Sequence, residues 1–150
     1  KIDNLEGYVK EINLRSTIIR TLTNEEIIIP NSLITQGALI NYSLSDPLIK
    51  IPIPFGVSYF SDIDKVLKIA KEVSFKYSKG EPRVFIKEYG QNSVNFEIWV
   101  WVDITKESLL EIKSKIYHDL FKKFKKEGIE IPFTQIDIWF KNELRIKQEK

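Results

Sequence analysis

The chain has 150 residues, of which 43% are hydrophobic, 12% aromatic and 29% charged, a globular balance that excludes disorder, a collagen-like repeat and a mucin-like stalk. A chain of this length buries roughly 70% of its unfolded surface, so one ordinary domain or two small ones can hold a core without staples. Lys plus Arg number 23 and Asp plus Glu 21, and a surplus of +2 is too small to attract nucleic acid or a membrane surface through bulk charge, so any basic site must be local.

In chain order, short strands are predicted over Gly7 to Leu14, Thr17 to Leu22, Glu26 to Ile29 and Ala38 to Tyr42. All four are rich in β-branched and aromatic residues, and Arg15-Ser16, Thr23-Asn24 and Pro30-Asn31 separate them. They imply a small bent sheet or open barrel whose first strand is cut by the start of the chain. Ser43 to Pro47 is polar and ends in Asp-Pro, which favours an extended or turn conformation and marks a domain boundary. The expected division is a β domain over 1–43, a linker over 44–48, an α/β domain over 49–141 and a polar tail over 142–150.

The second domain begins with a strand from about Ile49 to Tyr59. Pro52 and Pro54 remove two amide donors from one edge of it, so Phe55 to Tyr59 is expected to pair on both sides while Ile49 to Pro54 runs out toward the first domain. A helix follows, capped by Ser61, with Asp62 and Asp64 at its positive end and an apolar stripe of Ile63, Val66, Leu67, Ala70 and Val73. Gly80 and Pro82 end that unit. Arg83 to Tyr89 and Ser93 to Val102 form a hairpin through Gly90-Gln91-Asn92. In its second strand Val94, Phe96, Ile98, Val100 and Val102 face the core, while Asn95, Glu97, Trp99, Trp101 and Asp103 face away. Ser108 and Glu111 have capping-box spacing for a second helix with a stripe of Leu109, Ile112, Ile116, Leu120, Phe121 and Phe124, ended by Gly128. A last alternating strand covers Ile136 to Phe140. The order β-α-β-β-α-β is that of a ferredoxin-like unit, so the fold class is β plus α+β.

Chemistry-bearing residues are sparse. His118 is the single histidine, and its helical neighbours Ser114 and Asp119 assemble no nucleophile, base and orienter, so it reads as a helix-surface residue and the chain as no enzyme. Cys is 0, which excludes a disulfide framework, a thiolate nucleophile and a cysteine metal site and fits a reducing compartment. Zinc lacks ligands, Asp62 and Asp64 read as helix-start charges, and the six glycines are scattered singly with no phosphate loop, so no metal or cofactor is expected. Lys113, Lys115, Lys122, Lys123, Lys125 and Lys126 outweigh Glu111, Asp119 and Glu127 on the second helix, a pattern read as a solvated face rather than a phosphate site. Trp99 and Trp101, with Tyr89, have the composition of a base-stacking platform, but the RNP pattern is absent and a protein interface is the preferred reading.

Met is also 0 and the chain begins Lys1-Ile2-Asp3-Asn4, so it is expected to be processed or part of something longer. Nothing resembles a signal peptide, and the longest apolar runs, Ile27 to Ile29 and Ile98 to Val102, fall far short of the about eighteen residues that span a bilayer.

The order Gly7-Tyr-Val-Lys-Glu-Ile-Asn-Leu-Arg-Ser-Thr17, Ile19-Arg-Thr21, Ile29-Pro-Asn-Ser32 and Asn41-Tyr-Ser43 resembles the cytoplasmic β domain of small-conductance mechanosensitive channels of the MscS type. Val57-Ser-Tyr-Phe-Ser-Asp62 and Gly128-Ile-Glu-Ile-Pro-Phe-Thr-Gln135 continue the likeness over nearly the whole chain. The resemblance implies a homoheptameric channel of the cell (inner) membrane that releases ions and osmolytes under tension during hypo-osmotic shock. This region would be its cytoplasmic vestibule, made of an Sm-like β domain and the ferredoxin-like domain, with no nucleic-acid partner. By position, Asn41, Ser45, Asp46 and Lys50 are the portal-lining candidates. Trp99, Trp101 and Trp139 are the subunit-interface candidates, and Ile136, Ile138 and Phe140 approach a parallel barrel at the base. Thr134 stands where the family often has a second proline, and the membrane helices and opening strand of the β domain are not in the sequence. The isolated chain is therefore expected to assemble weakly. A small RNA-binding protein with Sm-like and ferredoxin-like domains is the alternative, and a ferredoxin-like hydrolase a weaker third.

Overall fold

The structure is a computed structural model and describes residues 1–2, 4–134, 136 and 141. Two separate three-stranded antiparallel sheets are formed. The first has the order β1-β2-β3, from β1 (Gly7–Ile12), β2 (Ser16–Thr21) and β3 (Glu26–Pro30). The residues after β3 form a short helix, α1 (Asn31–Gln36), where only a loop and then a strand were expected. Asn31 explains the start of α1. Its amide donates to the carbonyls of Asn13 (3.0 Å) and Leu14 (3.2 Å), and its Oδ1 accepts from Thr17 Oγ1 (2.8 Å), so the Ile-Pro-Asn segment is tied to the β1–β2 turn.

The strand expected over Ala38 to Tyr42 does not form. Leu39 makes one bridge to Ile2, and Lys1 and Ile40 exchange bonds of 2.7 and 3.0 Å. Two residues offer too little partner for a ladder. Among the described residues up to 44, only Thr17 and Ile19 are buried.

The second sheet has the order β4-β6-β5, from β4 (Leu48–Val57), β5 (Arg83–Tyr89) and β6 (Val94–Asp103). Helices α2 (Ile63–Phe75) and α3 (Leu109–Glu127) cover one face, giving the β-α-β-β-α part of a ferredoxin-like unit. Ile51, Ile53, Val57, Val94, Phe96, Ile98, Val100 and Val102 from the sheet meet Val66, Ile69, Ala70 and Val73 of α2 and Ile112, Ile116, Leu120 and Phe124 of α3 in one core. Full burial of each such side chain stabilises by about 1.5–3 kcal/mol, so nearly all of the hydrophobic driving force lies in this half. Of the expected last strand, Ile136 is described and exposed, and Asp137 to Phe140 lie outside the described residues.

Four local expectations need correction. Ile49 to Pro54 does not leave the sheet: β4 pairs with β6 along its whole length, from Leu48 opposite Asp103 to Val57 opposite Val94. The prolines are tolerated because antiparallel partners alternate, and residues of non-hydrogen-bonded pairs turn both backbone groups away from the neighbour. Pro54 shows this directly, since its carbonyl accepts from the Tyr117 hydroxyl at 2.9 Å. The N-cap of α2 is Asp62, whose Oδ1 accepts from Lys65 N at 3.1 Å, rather than Ser61. Ser108 holds the N-cap position of α3 without a side-chain bond, Glu111 pairs with Lys115 instead, and Phe121 is exposed. Gly128 ends α3 at φ 69°, the left-handed conformation in which glycine carries no Cβ penalty.

Across the outer side of α2 and α3, Lys123 pairs with Glu72 (2.6 Å), Lys65 with Glu127 (2.9 Å) and Lys76 with Asp119 (3.3 Å). The Tyr77 hydroxyl also donates to Asp119 at 3.0 Å. Hydrogen bonds from Lys123, Lys65 and Tyr77 lower the pKa of Glu72, Glu127 and Asp119 respectively. A carboxylate held below its unfolded value stabilises above that value and loses the contribution as pH falls through the lowered one. The second unit is therefore expected to lose urea resistance from about pH 4 downward, and the Asp119→Asn variant to show a shallower loss in the same titration.

Candidate functional site

Two surfaces hold the predicted site residues. The first is the connector between the sheets. Asn41, Ser45 and Asp46 are all exposed there. Asn41 Oδ1 accepts from Ser43 N (3.0 Å), and Asp46 Oδ1 accepts from Leu48 N (2.9 Å), local turns in which a short polar side chain stands in for a backbone partner. The connector is anchored to the second unit by Ile104 N donating to Pro47 O at 3.2 Å.

Lys50 is not grouped with these residues. It lies on β4 opposite Trp101, on the sheet face away from the helices, and its ammonium sits 3.7 Å from the Trp99 ring centroid. The rings of Trp99 and Phe85 meet edge to face with centroids 4.7 Å apart, and Trp99 Nε1 donates to Glu97 Oε1 at 2.7 Å. Glu97 also accepts from Lys87 at 2.8 Å. The Lys87 hydrogen bond, then that from Trp99, lowers the Glu97 pKa, and the same carboxylate raises that of Lys87. Glu97 is thus ionised through the physiological range and fixes the indole beneath Lys50.

Phe85, Lys87 and Glu97 were not singled out from the sequence as partners of Trp99. The hairpin turn alone misplaces them, because a bulge between Ile86 and Glu88 shifts the pairing so that Glu88, not Lys87, stands opposite Asn95. A cation over an exposed aromatic ring is worth about 0.5–1 kcal/mol. A cycle of Lys50→Met and Trp99→Leu is expected to show coupling of that size in urea unfolding.

Trp101 lies on the same face. Its backbone N–H donates to Ser78 Oγ (3.0 Å), its carbonyl accepts from Lys79 N (2.8 Å), and a Cβ on Gly80 would fall 2.8 Å from its ring. The 78–80 loop therefore continues the sheet beyond β5 and seats the indole. With Trp99 covered by Lys50 and Phe85, and Trp101 seated on Gly80, the two rings do not present an open stacking platform. Trp139, Ile138 and Phe140 lie outside the described residues, and Ile136 is exposed.

His118 is exposed on α3, and no group of His, Asp and Glu among the described residues would hold a metal ion. A shallow cleft of about 340 Å³ between α2 and β5 is lined by Leu67, Lys71, Glu81, Pro82, Arg83, Val84 and Phe85, and there Lys71 is paired with Glu81 at 3.1 Å. No helix of the described residues is long and apolar enough to cross a membrane.

Comparison with known proteins agrees with this two-sheet arrangement. The profile of the mechanosensitive ion channel beta-domain matches residues 1–44, and that of the mechanosensitive ion channel MscS C-terminal region matches residues 51–131. An uncharacterized MscS family protein of Archaeoglobus fulgidus is 32% identical over 152 residues, covering 99% of this chain and 53% of the relative. The small-conductance mechanosensitive channel of Helicobacter pylori is 31% identical over 147 residues, covering 95% of this chain and 53% of its own length. The chain spans about half the length of the curated relatives it matches. The closed-state crystal structure of Helicobacter pylori MscS superposes with a TM-score of 0.81 at 30% identity, over 95% of this chain and 57% of that one. The cryo-EM structure of wild-type Arabidopsis thaliana MSL1, at 21% identity, a TM-score of 0.67 and coverage of 90% and 49%, shares the fold. With more than half of its length matched by the C-terminal profile and a solved channel superposing over nearly all of it, the chain belongs to the MscS family of mechanosensitive ion channels.

Proposed function

We propose that this chain forms the cytoplasmic vestibule of a tension-gated channel that passes ions and small osmolytes during hypo-osmotic shock, filtering solutes and supporting ring assembly. The observation that carries the proposal is the superposition on a closed-state MscS over 95% of the chain at 30% identity. The bilayer-crossing pore of such a channel would be formed outside the described residues, none of whose helices can span a membrane. Homologues of this chain are channels rather than enzymes.

In this reading the protein is a homoheptamer of the cell membrane, divided at 1–43, 44–48, 49–141 and 142–150 as the sequence suggests. Asn41, Ser45 and Asp46 of the connector line side portals, with Lys50 set back on the sheet face. Trp99, Trp101 and Trp139 contribute to subunit contacts, and Ile136, Ile138 and Phe140 to the base barrel. Portals select by dimension and lining charge, so exposed ionisable groups tune which ions enter rather than hold one tightly. No observation favours the RNA-binding alternative. Patch recordings of the full-length protein in liposomes are expected to show current steps that appear with suction, and Asp46→Asn to shift the reversal potential in a salt gradient. A full-length protein that never opens under suction overturns the reading.

A further inference from the structure

We infer that the free edge of β5 takes up an extended peptide of another protein, with alternating apolar and acidic residues, as an added strand of the second sheet. This goes beyond the channel reading and does not depend on it, since only the second unit is involved.

The register fixes which backbone groups are open. Pro54, opposite Glu97, turns its carbonyl away from β6 to the Tyr117 hydroxyl, so the two form a non-hydrogen-bonded pair and Glu97 points its own N–H and C=O toward β5. Trp101 behaves in the same way, its N–H and C=O meeting Ser78 and Lys79 on that side. Arg83 and Phe85, opposite Trp99 and Glu97, are therefore bonded to β6, while Val84 and Ile86 direct their N–H and C=O groups outward. Among the described residues no backbone group pairs with them there.

The two edges of this sheet differ. On β4, Pro52 and Pro54 hold outward positions without a donor, and Tyr117 takes the Pro54 carbonyl, so that edge is closed to a further strand. On β5 the outward positions between Pro82 and the bulge at Lys87 carry Val84 and Ile86, β-branched residues with their donors intact. Beside them lies the cleft of about 340 Å³, lined by Leu67 of α2 and by Pro82, Val84 and Phe85 among others. An open edge strand beside a helix, with an apolar hollow between them, suits strand addition. Main-chain hydrogen bonds then hold the peptide, and every second side chain enters the hollow.

Charge selects the occupant. Residues directly opposite across a pair share a face, so peptide residues beside Val84 and Ile86 lie on the helix side and those beside Arg83 and Phe85 on the other. Lys71 at the cleft is satisfied by Glu81 (3.1 Å) and Lys87 by Glu97 (2.8 Å), whereas Arg83 is exposed and forms no ion pair among the described residues. An acidic residue beside Arg83 supplies that missing charge, and apolar residues at the alternate positions fill the cleft. A second copy of this chain fits poorly, because antiparallel pairing of β5 on β5 centred on Phe85 brings Arg83 against Lys87 twice.

The test mixes the intact chain with a fluorescein-tagged, end-blocked peptide, Glu-Val-Thr-Val-Glu, and reads anisotropy together with amide exchange by NMR. Saturable binding with Kd below about 1 mM is expected, with the Val84 and Ile86 amides slowed at least tenfold at saturation. N-methylation of both peptide valines, which removes the donors that face β5, is expected to abolish binding, and N-methylation of the threonine, whose N–H points away, to preserve it. Lys-Val-Thr-Val-Lys is expected to bind at least fivefold more weakly. Arg83→Glu is expected to reverse the order of the two peptides while the β6 amides stay protected, which shows that the variant is folded. Absence of binding at about 1 mM peptide overturns the inference, as does equal binding of the acidic and basic peptides or binding that survives valine N-methylation. Slowing of the Val84 and Ile86 amides by raised chain concentration alone also overturns it, because a second copy then holds the edge. All of these outcomes leave the channel reading standing, which falls separately on the absence of tension-gated current from the full-length protein.

Discussion

Replacing Phe96 by Ala is expected to destabilise the second unit by about 3–5 kcal/mol, the range for losing a buried aromatic ring with partial collapse of the cavity. Phe96 lies on the central strand β6, has no exposed surface, and stacks on Phe55 with ring centroids 5.1 Å apart. Phe55 in turn meets Phe124 of α3 at 5.7 Å, so removing the Phe96 ring opens a void beneath the sheet–helix contact. In urea, with a slope of about 2 kcal/mol per M, the midpoint should fall by about 2 M. Phe121→Ala is the control. Its ring is 54% exposed, and surface truncations cost about 0.5 kcal/mol or less. Equal shifts for the two variants would mean that the core does not lie where β6 and α3 place it.

Phe96 also shows why the second unit was legible in the sequence. When one face of a sheet or helix is buried, apolar side chains are confined to it, and the period of 2 from Val94 to Val102 and the helical spacing of Val66, Ala70 and Val73 record that confinement. Where burial is slight, the pattern carries less. Ala38 to Tyr42 has the composition of a strand but, among the described residues, finds only Lys1 and Ile2 beside it, so partner supply and not propensity decides. Asn31 starts a helix through bonds to Asn13, Leu14 and Thr17, contacts made by the fold of β1 on β2 and invisible in local spacing. Pro52 and Pro54 misled for a related reason: a missing donor matters only on the side where a neighbour pairs, and the sequence does not say which side that is. At the candidate site, Lys50 and Trp99 could be named from the sequence, but their contact depends on the β4–β6 register and the Glu97–Lys87 pair on a bulge.

Gly7 joins sequence motif and packing most closely. Gly7 opens β1 opposite Thr21, and a Cβ built on it would lie 2.4 Å from the Arg20 carbonyl oxygen and 2.8 Å from Ile19 Cγ2. The carbonyl belongs to the β2 backbone and cannot rotate aside, so Gly7→Val must push the start of β1 off β2. Overpacking of this kind costs about 1–3 kcal/mol. The cost should appear in the stability of the first sheet itself. At 1.4 kcal/mol per tenfold, amides of β1 to β3 should exchange about 5- to 150-fold faster in hydrogen-exchange mass spectrometry, while the urea midpoint of the second unit stays fixed. Gly37→Ala makes the contrast sharp, because Gly37 has φ −122° and nothing within 4 Å of its would-be Cβ. It is expected to leave that exchange unchanged or slightly slower, since Ala narrows the unfolded ensemble. A Gly7→Val chain whose first sheet exchanges as slowly as the parent's would show that β1 is free to shift without loss, and that the Gly-x-Val segment is not kept tight by its packing on β2.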